Sequence, residues 1–122
     1  MFRITEQGAI ANRGVYIRAH ASSDGLNGHP RGYSAQICNS QDAYTGWLWN
    51  PGKPTGKATA LLAKDGEWFS HRIRAVDAHI QFLINDNLVM TYDDSEDKTG
   101  HFVVQGRNSS WGSRPKICAM RI

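Results

Sequence analysis

The chain has 122 residues, of which 40% are hydrophobic and 20% charged, with a net charge of +3. That length suits one domain with a single core, and no apolar run is long enough to span a membrane. The 14 basic residues are scattered rather than gathered in a stripe interleaved with aromatics, which argues against a nucleic-acid partner despite the positive balance. The opening MFRITEQG lacks the apolar segment of a secretory leader. The chain as it stands therefore reads as cytoplasmic, or as a mature form or fragment of an exported protein.

In chain order, residues 3–7 predict a short first strand ended by Gly8. The stretch 14–20 predicts a second, with Val15 and Ile17 on one face and Tyr16 and Arg18 on the other. Residues 22–32, rich in Ser, Asp, Gly, Asn and Pro, form a long loop of the kind that often carries function. Residues 33–38 are a third strand, in which Tyr33, Ala35 and Ile37 oppose Ser34, Gln36 and Cys38. Residues 44–49 read as a strand with aromatics at alternating positions, and 50–56 as a loop. Residues 59–63 read as a short strand or a helical turn.

From Gly66 to Gln105 the pattern is a β-meander. Arg72 to Ala75 alternates polar and apolar, and Ile80, Phe82 and Ile84 share a face. Asn85-Asp86-Asn87 supplies residues that tolerate positive φ in a tight hairpin. Leu88, Met90 and Tyr92 return on one face, and an acidic loop over 93–97 leads through Gly100 into His101–Gln105. Residues 107–115 form a loop holding Trp111, and 117–122 the last strand. Eight or nine short strands without helical spacing predict one sandwich or barrel over residues 1–122.

Several motifs point away from common chemistries. Gly52 to Ala58 imitates a phosphate-binding loop but has three residues between its glycines and no Ser or Thr after Lys57, so it reads as a surface turn. Asn108-Ser109-Ser110 matches a glycosylation acceptor and reads as an ordinary polar loop. Cys38 and Cys118 sit in apolar strand contexts and read as buried thiols, with a disulfide as the alternative in an exported protein. The carboxylates of Asp93, Asp94, Glu96 and Asp97 could hold calcium, but their spacing departs from the regular loop and solvated charge is the better reading.

Two groups of side chains carry binding chemistry. Tyr44, Trp47, Trp49 and Trp111 offer flat faces that stack on the C–H faces of sugars, or else fill the core of a small sandwich. Arg18, His20 and Gln36 form the most site-like polar set: Arg18 as a fork of donors for an oxyanion or carboxylate, His20 as a general base. On an exposed convex face the same residues would only be solvated.

The ordered segments Gly14-Val15-Tyr16-Ile17-Arg18, Gly32-Tyr33 to Gln36-Ile37, Thr45-Gly46-Trp47-Leu48-Trp49, Gly66-Glu67-Trp68 and Ile84 to Val89 resemble the 3-keto-disaccharide hydrolase domain family. Gly100 to Gln105 and Ile117 to Ile122 complete a likeness that covers nearly the whole chain. The resemblance implies an all-β, concanavalin/glucanase-like jelly-roll β-sandwich, shortened at the N-terminus. Members usually carry an acid where this chain has Ser34, and a His shortly after the Gln of the G-x-x-x-x-Q strand, where this chain has Gly106 and Arg107. They also tend to have further N-terminal strands. The bare edges left without those strands predict a homo-oligomer, or a piece of a longer protein.

The resemblance further implies action on sugars oxidised at C3. A ketone there acidifies the C2 proton, so a base can remove it and the anomeric substituent can leave by elimination, after which water adds to the enone. Such a site needs a base and either a donor or a divalent metal ion for the enolate oxygen. Carried onto this sequence, Arg18 and His20 are the catalytic pair. Gln36, Tyr44, Trp47, Trp49, Gln105 and Arg107 become the carbohydrate contacts. The family suggests an exported or periplasmic setting. The alternative on the same scaffold is a non-catalytic, lectin-like carbohydrate-binding module.

Overall fold

In the computed structural model the described residues are 2–3, 13–20, 30–39, 42–50, 53–96 and 98–105. They form ten strands: β1 (Phe2–Arg3), β2 (Arg13–His20), β3 (Arg31–Ile37), β4 (Leu48–Trp49), β5 (Pro54–Gly56), β6 (Trp68–Phe69), β7 (His71–Val76), β8 (His79–Ile84), β9 (Asn87–Asp93) and β10 (His101–Gln105). Among the described residues there is no helix, and so none long and apolar enough to cross a membrane. The fold is the all-β, antiparallel sandwich that the alternation requires, built from a five-stranded sheet in the order β10-β2-β3-β4-β5 and a three-stranded sheet β7-β8-β9. A two-stranded ribbon joins β1 to β6.

One core lies between the two larger sheets. Val15, Tyr33, Ala35, Ile37 and Leu48 meet Ile80, Phe82, Ile84, Val89 and Met90 in a single cluster. On β2, β3 and β8 these are the positions the period-2 pattern puts on one face, while on β9 a bulge turns the adjacent Val89 and Met90 both inward; burying them supplies the main driving force of folding. The β8–β9 hairpin turns on Asn85 and Asp86, with φ of 50° and 64°, as their side-chain chemistry anticipates.

The structure corrects several boundaries. Residues 54–56, read as loop, form β5 beside β4. Residues 59–63 are neither strand nor helical turn; they run irregularly, with the Thr59 amide donating to the Val89 carbonyl (2.7 Å). Only Leu48–Trp49 of the aromatic segment is strand. Tyr44 to Trp47 is a turn closed by the Trp47 amide on the Tyr44 carbonyl (3.0 Å), so Tyr44 leaves the alternation. A bulge between Phe82 and Leu83 pairs Met90 with core Phe82 but Leu88 with Leu83, and Leu88 is half-exposed instead of sharing the face of Met90. The expected strand at 117–122, Trp111, Cys118 and the Asn108 motif lie outside the described residues.

His71 opens β7 on the core side, opposite Ile84. The residue as a whole is only partly buried, yet its ring sits edge-on to Phe82 (centroids 5.2 Å, 81°), and the ring is what titrates. Burial lowers its pKa from 6.5 to about 4. The unfolded chain therefore takes up this proton near pH 6.5 and the folded chain only near pH 4. Stability is fully present above pH 6.5 and drains away as pH falls through that window. We expect unfolding free energy measured in urea to fall by roughly 2–3 kcal/mol between pH 7 and pH 4 on this account. His71→Leu should flatten that slope, and an unchanged slope in the variant would assign the acid sensitivity to other groups.

Candidate functional site

The five-stranded sheet turns Val15, Ile17, Tyr33, Ala35, Ile37 and Leu48 toward the core, so its other face is built from the alternate positions. The register fixes which of these are neighbours. Val103, Tyr16, Ser34 and Trp49 fall in one row across four strands, and Gln105, Gly14 and Gln36 in the next. Ser34 and Gln36 are both buried on this outer face. Tyr16 stands directly opposite Ser34 across the β2–β3 pair. Burial raises the phenol above its ordinary value of 10, the neighbouring Ser34 hydroxyl working against that rise, so Tyr16 is a neutral polar group at physiological pH.

Arg18 breaks the strand. Its φ is +52°, a left-handed conformation costly for a side chain of this size. The pairing of β2 with β3 shifts between Ile17 and His20, so Arg18 and Ala19 together stand opposite Gly32. Two glycines make room for the bulge. A Cβ on Gly32 (φ +151°) would lie 2.9 Å from the Ala19 Cα and 3.0 Å from the Arg18 carbonyl oxygen. On the other side, a Cβ on Gly100 (φ +146°) would lie 2.4 Å from the Arg18 carbonyl carbon. Arg18 is itself buried, in the outer-face series of Gly32, Ser34 and Gln36.

The bulge redistributes the histidines. Past it, His20 pairs with Arg31, which shares the face of Tyr33, so the register separates His20 from Gln36 and sets it on the core-side face at the strand end. On β10, His101 pairs with Ala19 two residues before Val103 pairs with Tyr16. His101 therefore takes an outer-face position beside the Arg18–Ala19 bulge, and it is exposed. Sequence reasoning passed over His101. Alternation along β10 ties it to Val103 and Gln105, but only the register to β2 brings it to Arg18.

The aromatics divide. Trp47 packs against the core, edge-on to Tyr44 (6.1 Å, 75°), and the Lys57 ammonium lies 5.9 Å from its ring centroid. Tyr44 donates to the Ala58 carbonyl (3.2 Å). Trp49 stands in the row of Tyr16 and Ser34. The indole N–H groups of Trp47 and Trp49 are both buried, without an acceptor among the described residues. The backbone of Gln105 is in the Gln36 row, and Arg107 lies outside the described residues.

No group of three His, Cys, Asp or Glu among the described residues could hold a metal ion. Asp93 is engaged by His79, and Asp94 Oδ1 accepts from the Glu96 amide (2.9 Å); Asp97 lies outside the described residues. The described donors do not make a metal centre.

A sequence model of the 3-keto-alpha-glucoside-1,2-lyase-like domain matches residues 1–113, almost the full length. No curated protein matches the chain.

Proposed function

The chain belongs to the 3-keto-alpha-glucoside-1,2-lyase-like domain family, a carbohydrate-related family, and from that premise we propose that the outer face of the five-stranded sheet binds a 3-keto glycoside and cleaves it by elimination. The observation that carries this reading is the meeting of Arg18, Tyr16, Ser34 and His101 positions at and beside one bulge, on a face that Gln36 and Trp49 continue.

The roles follow from the chemistry. Arg18 and neutral Tyr16 donate to the ketone oxygen and stabilise the enolate as the C2 proton leaves. His101 accepts that proton. The electron pair of the C2–H bond forms the C1–C2 double bond through the enolate, the C1–O bond breaks, and the departing oxygen is protonated. Gln36 and Ser34 orient the ring hydroxyls, and Trp49 offers the apolar surface. A second reading, sugar binding without cleavage, is favoured by Ser34, a hydroxyl where the resemblance leads one to expect an acid.

The test is release of a chromogenic aglycone from a 3-keto glycoside, with and without EDTA. Loss of the base should lower kcat on the order of 10²–10⁴-fold in His101→Ala. Arg18→Ala should cost roughly 10²–10³-fold, while His20→Ala should leave turnover within twofold (about 0.4 kcal/mol). A reversed order for the two histidines would return the base role to His20. No release, together with calorimetric binding of the same compound, would establish the binding module.

A further inference from the structure

The three-stranded sheet also has a face away from the core, and it is polar in an organised way. Its register sets Val76, His79 and Asp93 in one row and Arg74, Gln81 and Thr91 in the next. Five of these side chains, Arg74, Val76, His79, Gln81 and Asp93, together with Asp77 of the turn, line a groove of about 490 Å³. That volume lies within the range of small-molecule clefts, roughly 300–1,000 Å³.

The groups in the groove are not all satisfied by one another. His79 Nδ1 is bonded to Asp93 Oδ1 (2.5 Å), which fixes the ring and leaves Nε2 for another partner. Arg72, one row away, is paired with Asp86 (3.0 Å). The Arg74 guanidinium has no such partner among the described residues, although Asp77 and Asp93 line the same groove. Gln81, half-buried at the centre of the sheet, brings an amide donor and an amide acceptor.

We propose that this groove is a second ligand site, taking a neutral polyhydroxylated molecule of monosaccharide size. Donors from Arg74 and Gln81 alternate with acceptors from Asp77, Asp93 and Gln81, the pattern that hydroxyls, which both give and take, satisfy best. Val76 gives a C–H-rich wall for one ring face; it is 53% exposed. Charge decides against an anion: the one guanidinium is opposed by two carboxylates, so a negatively charged ligand meets net repulsion. The site lies on a different sheet from the proposed reaction face and does not depend on that reaction.

The experiment is a titration of the ¹⁵N-labelled full chain with D-glucose and, separately, D-glucuronate, following backbone amide shifts. D-Glucose should move the amides of residues 74–81 and 93 saturably, with millimolar affinity. Arg74→Ala and Gln81→Ala should each weaken it at least fivefold, with amide spectra away from the groove unchanged from the parent. Arg18→Ala should leave these shifts unchanged, which separates this groove from the other face. Shifts confined to residues 14–19 and 33–36, or affinity unaltered by Arg74→Ala, would overturn the assignment. Tenfold tighter binding of D-glucuronate would overturn its neutral character.

Discussion

Gly100→Ala should strip β10 from the five-stranded sheet. The new methyl group would sit 2.4 Å from the carbonyl carbon of Arg18 and 2.7 Å from both its Cα and its carbonyl oxygen. All three are backbone atoms of a central pairing strand, so no side chain can swing aside to relieve the contact. The φ of +146° at Gly100 adds its own penalty for any residue with a Cβ. Strain of this kind costs on the order of 3 kcal/mol or more when it cannot relax. Relaxation means moving β10 outward, which breaks its pairing with Ala19, Tyr16, Val15 and Gly14. Two readouts should move together: the urea midpoint should fall, and amide exchange over residues 101–105 should accelerate more than over β8. If the midpoint stays within error of the parent, the Gly100–Arg18 approach is not a feature of the folded protein. Since β10 carries His101, the same variant should lose turnover if the proposed base is correct, even where the rest of the sheet survives.

Thr45→Val should be nearly as damaging, for a different reason. Thr45 is fully buried, and its hydroxyl works in both directions. It accepts from the Cys38 amide (3.1 Å) and donates to Asn39 Oδ1 (2.6 Å). The Asn39 amide in turn donates to the Ala63 carbonyl and to Asp65, both at 2.9 Å. This chain of bonds ties the end of β3 and the aromatic turn to the segment that crosses toward the second sheet. Valine matches the shape of threonine and removes only the oxygen, so the buried Cys38 amide and the half-buried Asn39 carbonyl oxygen lose their partner at once. At about 1–3 kcal/mol for each group left unsatisfied, the loss should be roughly 2–4 kcal/mol. Thr45→Ser keeps the hydroxyl and should cost about 1 kcal/mol, the value of a methyl group in a core. Equal midpoints for the Val and Ser variants would show that packing, not the hydroxyl, is what Thr45 contributes.

Both expectations concern features that sit where local pattern and tertiary structure part company. The faces of β2, β3 and β8 were legible because alternation with period 2 is a property of the chain itself: Val15 with Ile17, Tyr33 with Ala35 and Ile37, and Ile80 with Phe82 and Ile84 all reach the core. The hairpin at Asn85-Asp86 was legible because those side chains favour the positive φ they adopt. The all-β class and the family followed from the order of such segments. Pairing was not legible. A bulge inserts one residue against a partner strand, and nothing in the one-dimensional pattern of Gly14 to His20 says that Arg18 is that residue. It is decided by two glycines, one just after the start of β3 and one far along the chain before β10, that leave room for the Arg18 backbone. That single displacement turns His20 to the core-side face and brings His101 beside Arg18 instead. The side chains a sugar site can use were thus set by the sequence, but their company was set by register, because which strands face each other is a property of the assembled sheets and not of any one strand.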